Sequence, residues 1–129
     1  MAKTTQLVLN LQSKPGVLAA VSQALASAGV NILAVCAAEA AGRGKIRLLV
    51  SDPARGKEAL TAAKYRPGEE AAVTVTLDDR PGALAATTEK LARARVNIKC
   101  AYATSAGGGK VTVVITPSNV DRAQAALGG

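Results

Sequence analysis

Two stretches of apolar–polar alternation stand 66 positions apart in the chain. In the first, Leu7, Leu9 and Leu11 fall on one side and Val8 and Asn10 on the other, the period of two that an extended strand imposes. Val73, Val75 and Leu77 repeat it. Each stretch runs into a Pro-Gly pair, Lys14-Pro15-Gly16 and Arg80-Pro81-Gly82. Proline's fixed φ suits a first helical turn, so a helix is expected to start at each pair. Leu18, Val21 and Leu25, and then Leu84 and Leu91, recur at spacings of three, four and seven, which predicts one buried stripe per helix. Ser22, Gln23 and Ser27, or Glu89, Lys90 and Arg93, mark the opposite faces. Gly29 is a natural left-handed cap for the first helix, whereas Arg95 stands at the matching place, which predicts a different ending for the second.

The pattern after each helix switches back to strands. Residues 32–38 and 45–50 flank Gly42-Arg43-Gly44, and residues 98–104 and 110–116 flank Gly107-Gly108-Gly109, the layout of two hairpins with glycine-rich turns. Asp52-Pro53 opens a further helix over residues 54–63, and Pro117-Ser118-Asn119 opens one over residues 120–127. Sliding the chain on itself by 66 positions lays Pro15-Gly16 on Pro81-Gly82 and Val30-Asn31-Ile32 on Val96-Asn97-Ile98. Beyond that the offset slips to 65, as a one-residue difference in a hairpin loop requires.

The order β-α-β-β-α, twice, predicts an α+β protein of two tandem ferredoxin-like modules, with antiparallel sheets and the helices on one face of each. The expected domains are residues 1–68 and 69–129. A fourth strand is short or missing: only Lys64–Glu70 separates the first module's last helix from the next strand, and Pro67 shortens even that. An open sheet edge is normally covered, so a neighbouring copy or chain is expected to replace the strand.

Composition narrows the function. With 49% hydrophobic and 19% charged residues the chain reads as globular, and with 2% aromatics its core must be aliphatic and rich in alanine. The formal charge of +7 is spread without a basic run, and stacking platforms are scarce, which argues against nucleic-acid binding. No basic segment followed by an apolar one opens the chain and no apolar stretch reaches bilayer-spanning length, so a cytoplasmic address away from membranes is expected. Histidine is absent, and Cys36 and Cys100 are too few and too far apart for a zinc or redox motif. No catalytic residue, metal site or cofactor is therefore expected. Cys36 and Cys100 share strand parity with Ile32 and Ile98 and are expected to face the helices as inert thiols, with Tyr102 in the core beside them. The glycines at 107–109 lack the ending of a phosphate loop and read as a hairpin turn.

A strand, then [Lys/Arg]-Pro-Gly-x-Leu, a helix, and [Gly/Arg]-Val-Asn-Ile leading into the next strand resembles the ACT domain, twice and over nearly the whole chain. The resemblance implies that a free amino acid binds between paired domains, cradled by the turn before the first helix and by the asparagine after it. The matching positions are Ser13, Gly16 and Asn31 in the first copy, and Asp78, Asp79, Gly82 and Asn97 in the second. The chemistry suits them. Backbone N–H groups at a helix start serve a carboxylate, an asparagine amide offers both a donor and an acceptor, and an ionised Asp79 suits an ammonium better than Ser13 does. The second turn, with Asn31 or Asn97 facing it, is thus the expected site. Pro-Gly as a plain turn, Asp79 or Ser13 as a helix cap, and the asparagines as tight-turn residues are the competing structural explanations. The implied function is a non-catalytic sensor that regulates amino-acid metabolism or transport, as a homo-oligomer, dimeric in the simplest case, or beside a regulated enzyme. The alternative is a ligand-free interaction module.

Overall fold

The structure is a computed structural model, and it describes residues 1–128. Its elements run β1 (Ala2–Gln12), α1 (Val17–Ser27), β2 (Ile32–Ala40), β3 (Arg43–Val50), α2 (Pro53–Ala62), β4 (Gly68–Asp78), α3 (Ala83–Arg93), β5 (Ile98–Gly107), β6 (Lys110–Pro117) and α4 (Val120–Gly128). They fall into two units, one made of Thr5–Glu70 and one of Met1–Thr4 together with the chain from Ala71 onward.

In the Thr5–Glu70 unit β3 lies between β2 and β1, antiparallel to both, with Leu7 opposite Leu48 and Leu9 opposite Ile46. Those residues face α1 and α2 and close the core with Val21, Leu25, Val30, Val50 and Leu60. The other unit repeats the plan: β6 lies between β5 and β4, with Val73 opposite Ile115 and Val75 opposite Val113, and Leu91, Val96 and Ala123 complete the core. Both units are therefore βαββα modules with helices on one face, as the periodicity predicts.

The fourth strand is short in each unit. Gly68–Glu70, the opening of β4, belongs to the Thr5–Glu70 unit, where the Glu70 carboxylate accepts from Arg47 Nε at 2.9 Å and Gln6 Nε2 at 3.3 Å. Gln6 is fully buried, so a charged acceptor within reach matters more here than on a wet surface. In the other unit the place falls to Ala2–Thr4, the opening of β1, where Thr74 donates its hydroxyl to the Ala2 carbonyl and Lys3 pairs with Asp121 at 2.9 Å.

Helix starts depart from expectation in a specific way. α1 and α3 begin at Val17 and Ala83, after the Pro-Gly pairs rather than on them. Val17 N–H bonds to the Lys14 carbonyl and Ala83 N–H to that of Arg80, each at 3.3 Å, with Gly16 at φ 89° and Gly82 at φ 88°. Proline second and a left-handed glycine third is a type II turn, and it sets the chain's direction before the helix begins. α2 does follow the proline rule: Asp52 caps it by accepting from Arg55 N–H at 3.1 Å, and Pro53 sits in its first turn. Asn119 caps α4 likewise, accepting from Arg122 N–H at 2.9 Å. Leu18 and Leu84, placed on the buried stripe by spacing, are 41% and 50% exposed, and the stripe closes over Val21 and Leu25, or Thr87 and Leu91.

Helix endings are more alike than the sequence suggests. At the end of α1, Gly29 N–H reaches the Ala26 carbonyl and Val30 N–H that of Leu25; at the end of α3, Arg95 and Val96 make the same two bonds to Ala92 and Leu91. Both are Schellman caps. The second is built on Arg95 at φ 57°, so a residue with a Cβ takes the left-handed conformation that Gly29 takes freely. That conformation costs about 1 kcal/mol or slightly more for an L-residue, and we expect Arg95→Gly to raise stability by up to that amount in urea denaturation. A loss of stability would mean that the arginine side chain contributes more than its backbone costs.

The cysteines lie on the other face from the one expected. On β2, Ile32 stands opposite Val50 but Ala34 opposite Leu49, so one extra residue is inserted between them. From there Cys36 stands opposite Arg47, on the face away from the helices, while Val35 and Ala37 turn toward them. β5 carries the same bulge between Ile98 and Cys100, which places Cys100 and Tyr102 opposite Thr116 and Val114. All three side chains are half-buried rather than part of either aliphatic core.

Candidate functional site

The two Pro-Gly turns are built alike from their backbones. Ser13 N–H bonds to the Gly42 carbonyl at 3.0 Å and Asp79 N–H to that of Gly109 at 2.9 Å, so each turn is tied to the tip of its unit's hairpin. Neither α1 nor α3 has a side-chain cap, and since Val17 and Ala83 N–H already bond within the turn, it is the N–H groups of the two residues after each, Leu18 and Ala19 or Leu84 and Ala85, that no side chain caps. A Cβ at Gly16 or Gly82 would meet nothing within 4 Å, so these glycines serve the backbone angle and not close approach by a neighbour.

Asn31 and Asn97 are held by one device. Asn31 N–H donates to Ser51 Oγ at 2.9 Å and its carbonyl accepts from Ser51 N–H at 2.9 Å; Asn97 and Ser118 repeat this at 3.0 and 2.8 Å. The backbone is clamped and both residues are exposed, leaving the amide groups at the surface. Asp78 is engaged: Lys110 Nζ bonds its Oδ1, and Arg80 Nε lies 3.6 Å from its Oδ2. The Lys110 hydrogen bond and charge hold its carboxyl below the usual carboxylate range, so Asp78 is an anion already matched by cations. Asp79, exposed beside it, makes its described bond through the backbone alone.

The first turn borders two clefts. The larger, about 450 Å³, lies between the end of β1, the start of α1 and Tyr65, with Leu11, Val17 and Ala20 as apolar walls and Gln12, Lys14, Pro15 and Gly16 at the rim. The smaller, about 150 Å³, adjoins it toward β2, sharing Leu11, Gln12, Lys14 and Val17, and takes in Ser13, Leu18, Ala38 and Glu39. Of the residues singled out from the sequence, Gly16 borders the first cleft and Ser13 the second. Tyr65, Gln12, Val17 and Ala20 were not among them. Tyr65 is placed by a third Schellman cap, at the end of α2, where Lys64 at φ 73° bonds the Thr61 carbonyl and Tyr65 N–H that of Leu60. A glycine at 64 would have announced that cap; a lysine does not. Among the described residues no group of three or more Cys, Asp or Glu side chains could hold a metal ion, and no helix is long and apolar enough to cross a membrane.

A family described as an ACT domain pair matches residues 2–127. A protein of Bacteroides thetaiotaomicron of known structure is 32% identical, superimposing with a TM-score of 0.90 over 98% of this chain and 87% of its own. The ligand-free regulatory subunit of aspartate kinase from Thermus thermophilus shares the fold at 21% identity, with a TM-score of 0.70 over 98% of this chain and 93% of its own. The corresponding subunit from Thermus flavus superimposes with a TM-score of 0.66 at 18% identity, over 98% of this chain and 94% of its own. No curated protein matches the chain.

Proposed function

The chain belongs to the ACT domain pair family, and we propose that it is a non-catalytic sensor that binds a free amino acid and passes the bound state to the control of amino-acid metabolism or transport. One observation carries this reading. An uncapped helix start, a left-handed Pro-Gly turn anchored to a hairpin tip, and a serine-clamped asparagine occur together, and they occur twice. A plain structural turn accounts for the Pro-Gly pair but gives no reason for an exposed, serine-clamped asparagine to recur at the other end of the helix in both modules.

Asp79 is the group we assign to the ligand's ammonium, with Gly82 and the start of α3 receiving its carboxylate; Asn31 and Asn97 follow α1 and α3 at the ends away from these turns and would reach such a ligand only from a second copy of the chain. Asp78 takes a supporting part, since Lys110 and Arg80 already neutralise it. Ser13 and Gly16 would form the weaker counterpart in the first copy. The solved aspartate kinase regulatory subunits of this fold make a separate enzyme a reasonable recipient of the signal, and the cytoplasm is the place where such a signal would be used.

The test is a thermal-denaturation screen of the whole chain against the twenty amino acids. A ligand that binds only the folded state should stabilise it by roughly 2.7 kcal/mol at a hundredfold excess over its dissociation constant. A selective shift is expected, and Asp79→Ala should remove it. No shift with any amino acid would leave the interaction module as the better account. β2 favours self-association in addition: Leu33 and Val35 on this edge strand of their unit are 49% and 42% exposed, and no lysine guards it. Sedimentation equilibrium should give a dimer that Val35→Lys dissociates; a wild-type monomer would rule the contact out.

A further inference from the structure

We propose that the larger cleft at the first turn is a separate binding site for a small 2-oxo carboxylate with a compact aliphatic chain, and that it discriminates against the zwitterionic amino acid. The proposal rests on the reading of these turns as ligand-binding elements, and it makes the first copy's weakness toward an amino acid the consequence of a preference for a different ligand class.

The argument starts from charge. The second turn reads Asp78-Asp79-Arg80, while the first reads Ser13-Lys14 at the corresponding place. Lys14 borders the cleft, is exposed, and forms no ion pair among the described residues. No carboxylate lines the cleft; Glu39 lines the adjoining smaller cleft, which Lys14 also borders, and makes no ion pair with Lys14. A ligand carboxylate entering here meets an unmatched ammonium at the rim and the uncapped start of α1 behind it. A ligand ammonium meets a like charge and no acidic partner, so it must give up its water without compensation. The site therefore favours an anion over the zwitterion of the same carbon skeleton.

The remaining lining selects the rest of the molecule. Gln12 offers an amide donor and Tyr65 a phenolic hydroxyl, either of which suits a carbonyl oxygen next to the carboxylate. Leu11, Val17 and Ala20 present an aliphatic wall and lack polar groups for a hydroxylated or charged tail. The volume of about 450 Å³ falls in the range of small-molecule sites, roughly 300–1,000 Å³. An amino acid with its amino group replaced by a carbonyl has this combination of features: one negative charge, an adjacent acceptor and a short apolar chain.

The experiment is a titration of the isotopically labelled whole chain, followed by amide NMR shifts, with 4-methyl-2-oxopentanoate and, separately, L-leucine. Saturable shifts with the oxo acid are expected at Gln12, Gly16, Val17 and Tyr65, with L-leucine binding there at least about tenfold more weakly. Lys14→Gln, at an exposed position, should weaken the oxo acid about tenfold or more while leaving the remaining spectrum unchanged. Asp79→Ala should leave oxo-acid binding intact whatever it does to an amino-acid response, which separates the failure of one site from the failure of the other. The proposal is overturned if the oxo acid gives no saturable shift, if its shifts gather around Asp79 and Gly82, if L-leucine binds the first cleft equally well, or if Lys14→Gln keeps full affinity.

Discussion

Leu25→Ala is expected to cost roughly 2–5 kcal/mol of unfolding free energy, enough to make a unit of this size marginal. Leu25 is fully buried, and its carbonyl also receives the Val30 N–H that finishes the α1 cap. Truncation leaves a void in the cluster that Leu25 shares with Val21, Val50 and Leu60, all of them buried. Leu18→Ala is the matched control. It removes the same atoms from the same helix, but Leu18 is 41% exposed, so the loss should stay below about 1 kcal/mol. Urea denaturation of both variants decides the matter, and equal losses would mean that α1 is seated differently.

The second large effect comes from Gly56, on the buried face of α2. A Cβ there would lie 3.1 Å from Leu7 Cδ1, 3.2 Å from Val50 Cγ2 and 3.5 Å from Leu25 Cδ2. The helix sits so low on the sheet that only a hydrogen fits without adjustment. Gly56→Ala sets that crowding against the about 1 kcal/mol that alanine gains over glycine inside a helix, so a small net change of either sign is expected. Gly56→Val adds two more methyl carbons in the same place and should cost about 1–3 kcal/mol by overpacking. Full stability in the valine variant would show that α2 can rise from the sheet at little cost.

Much of this architecture was legible because the repeat shows each signal twice. Alternation at Leu7, Leu9 and Leu11 located β1, and Asp52-Pro53 located the start of α2 with its cap. Part of what stayed hidden lies in backbone conformations that the residue type does not announce, and part in partners distant along the chain. Lys64 and Arg95 take left-handed caps that sequence rules reserve for glycine or asparagine, each followed by a residue, Tyr65 or Val96, that bonds back to the Leu60 or Leu91 carbonyl and packs in the same apolar cluster as that leucine. The short fourth strand of the second unit could not be read near its own repeat, since Ala2–Thr4 stands at the other end of the chain. At the candidate site the turns and asparagines were visible as motifs. The neutralisation of Asp78 by Lys110 was not, because 32 residues separate the partners in the chain.

The bulges in β2 and β5 behave like a shifted reading frame. Each inserts one residue, and from that point the inner and outer sets of side chains exchange places, to the end of β2 and, in β5, as far as Ser105, where the register shifts again. A homologue one residue shorter between Ile32 and Ala34 would lose the bulge and keep the same faces from Ala34 onward, so an alignment gap there leaves the environment of Cys36 unchanged, whereas strict alternation counted from Ile32 in this chain assigns it to the wrong face. A fluorophore on Cys36 or Cys100 would likewise report on the face of the sheet away from the helices, and its signal should be insensitive to changes confined to the helical layer.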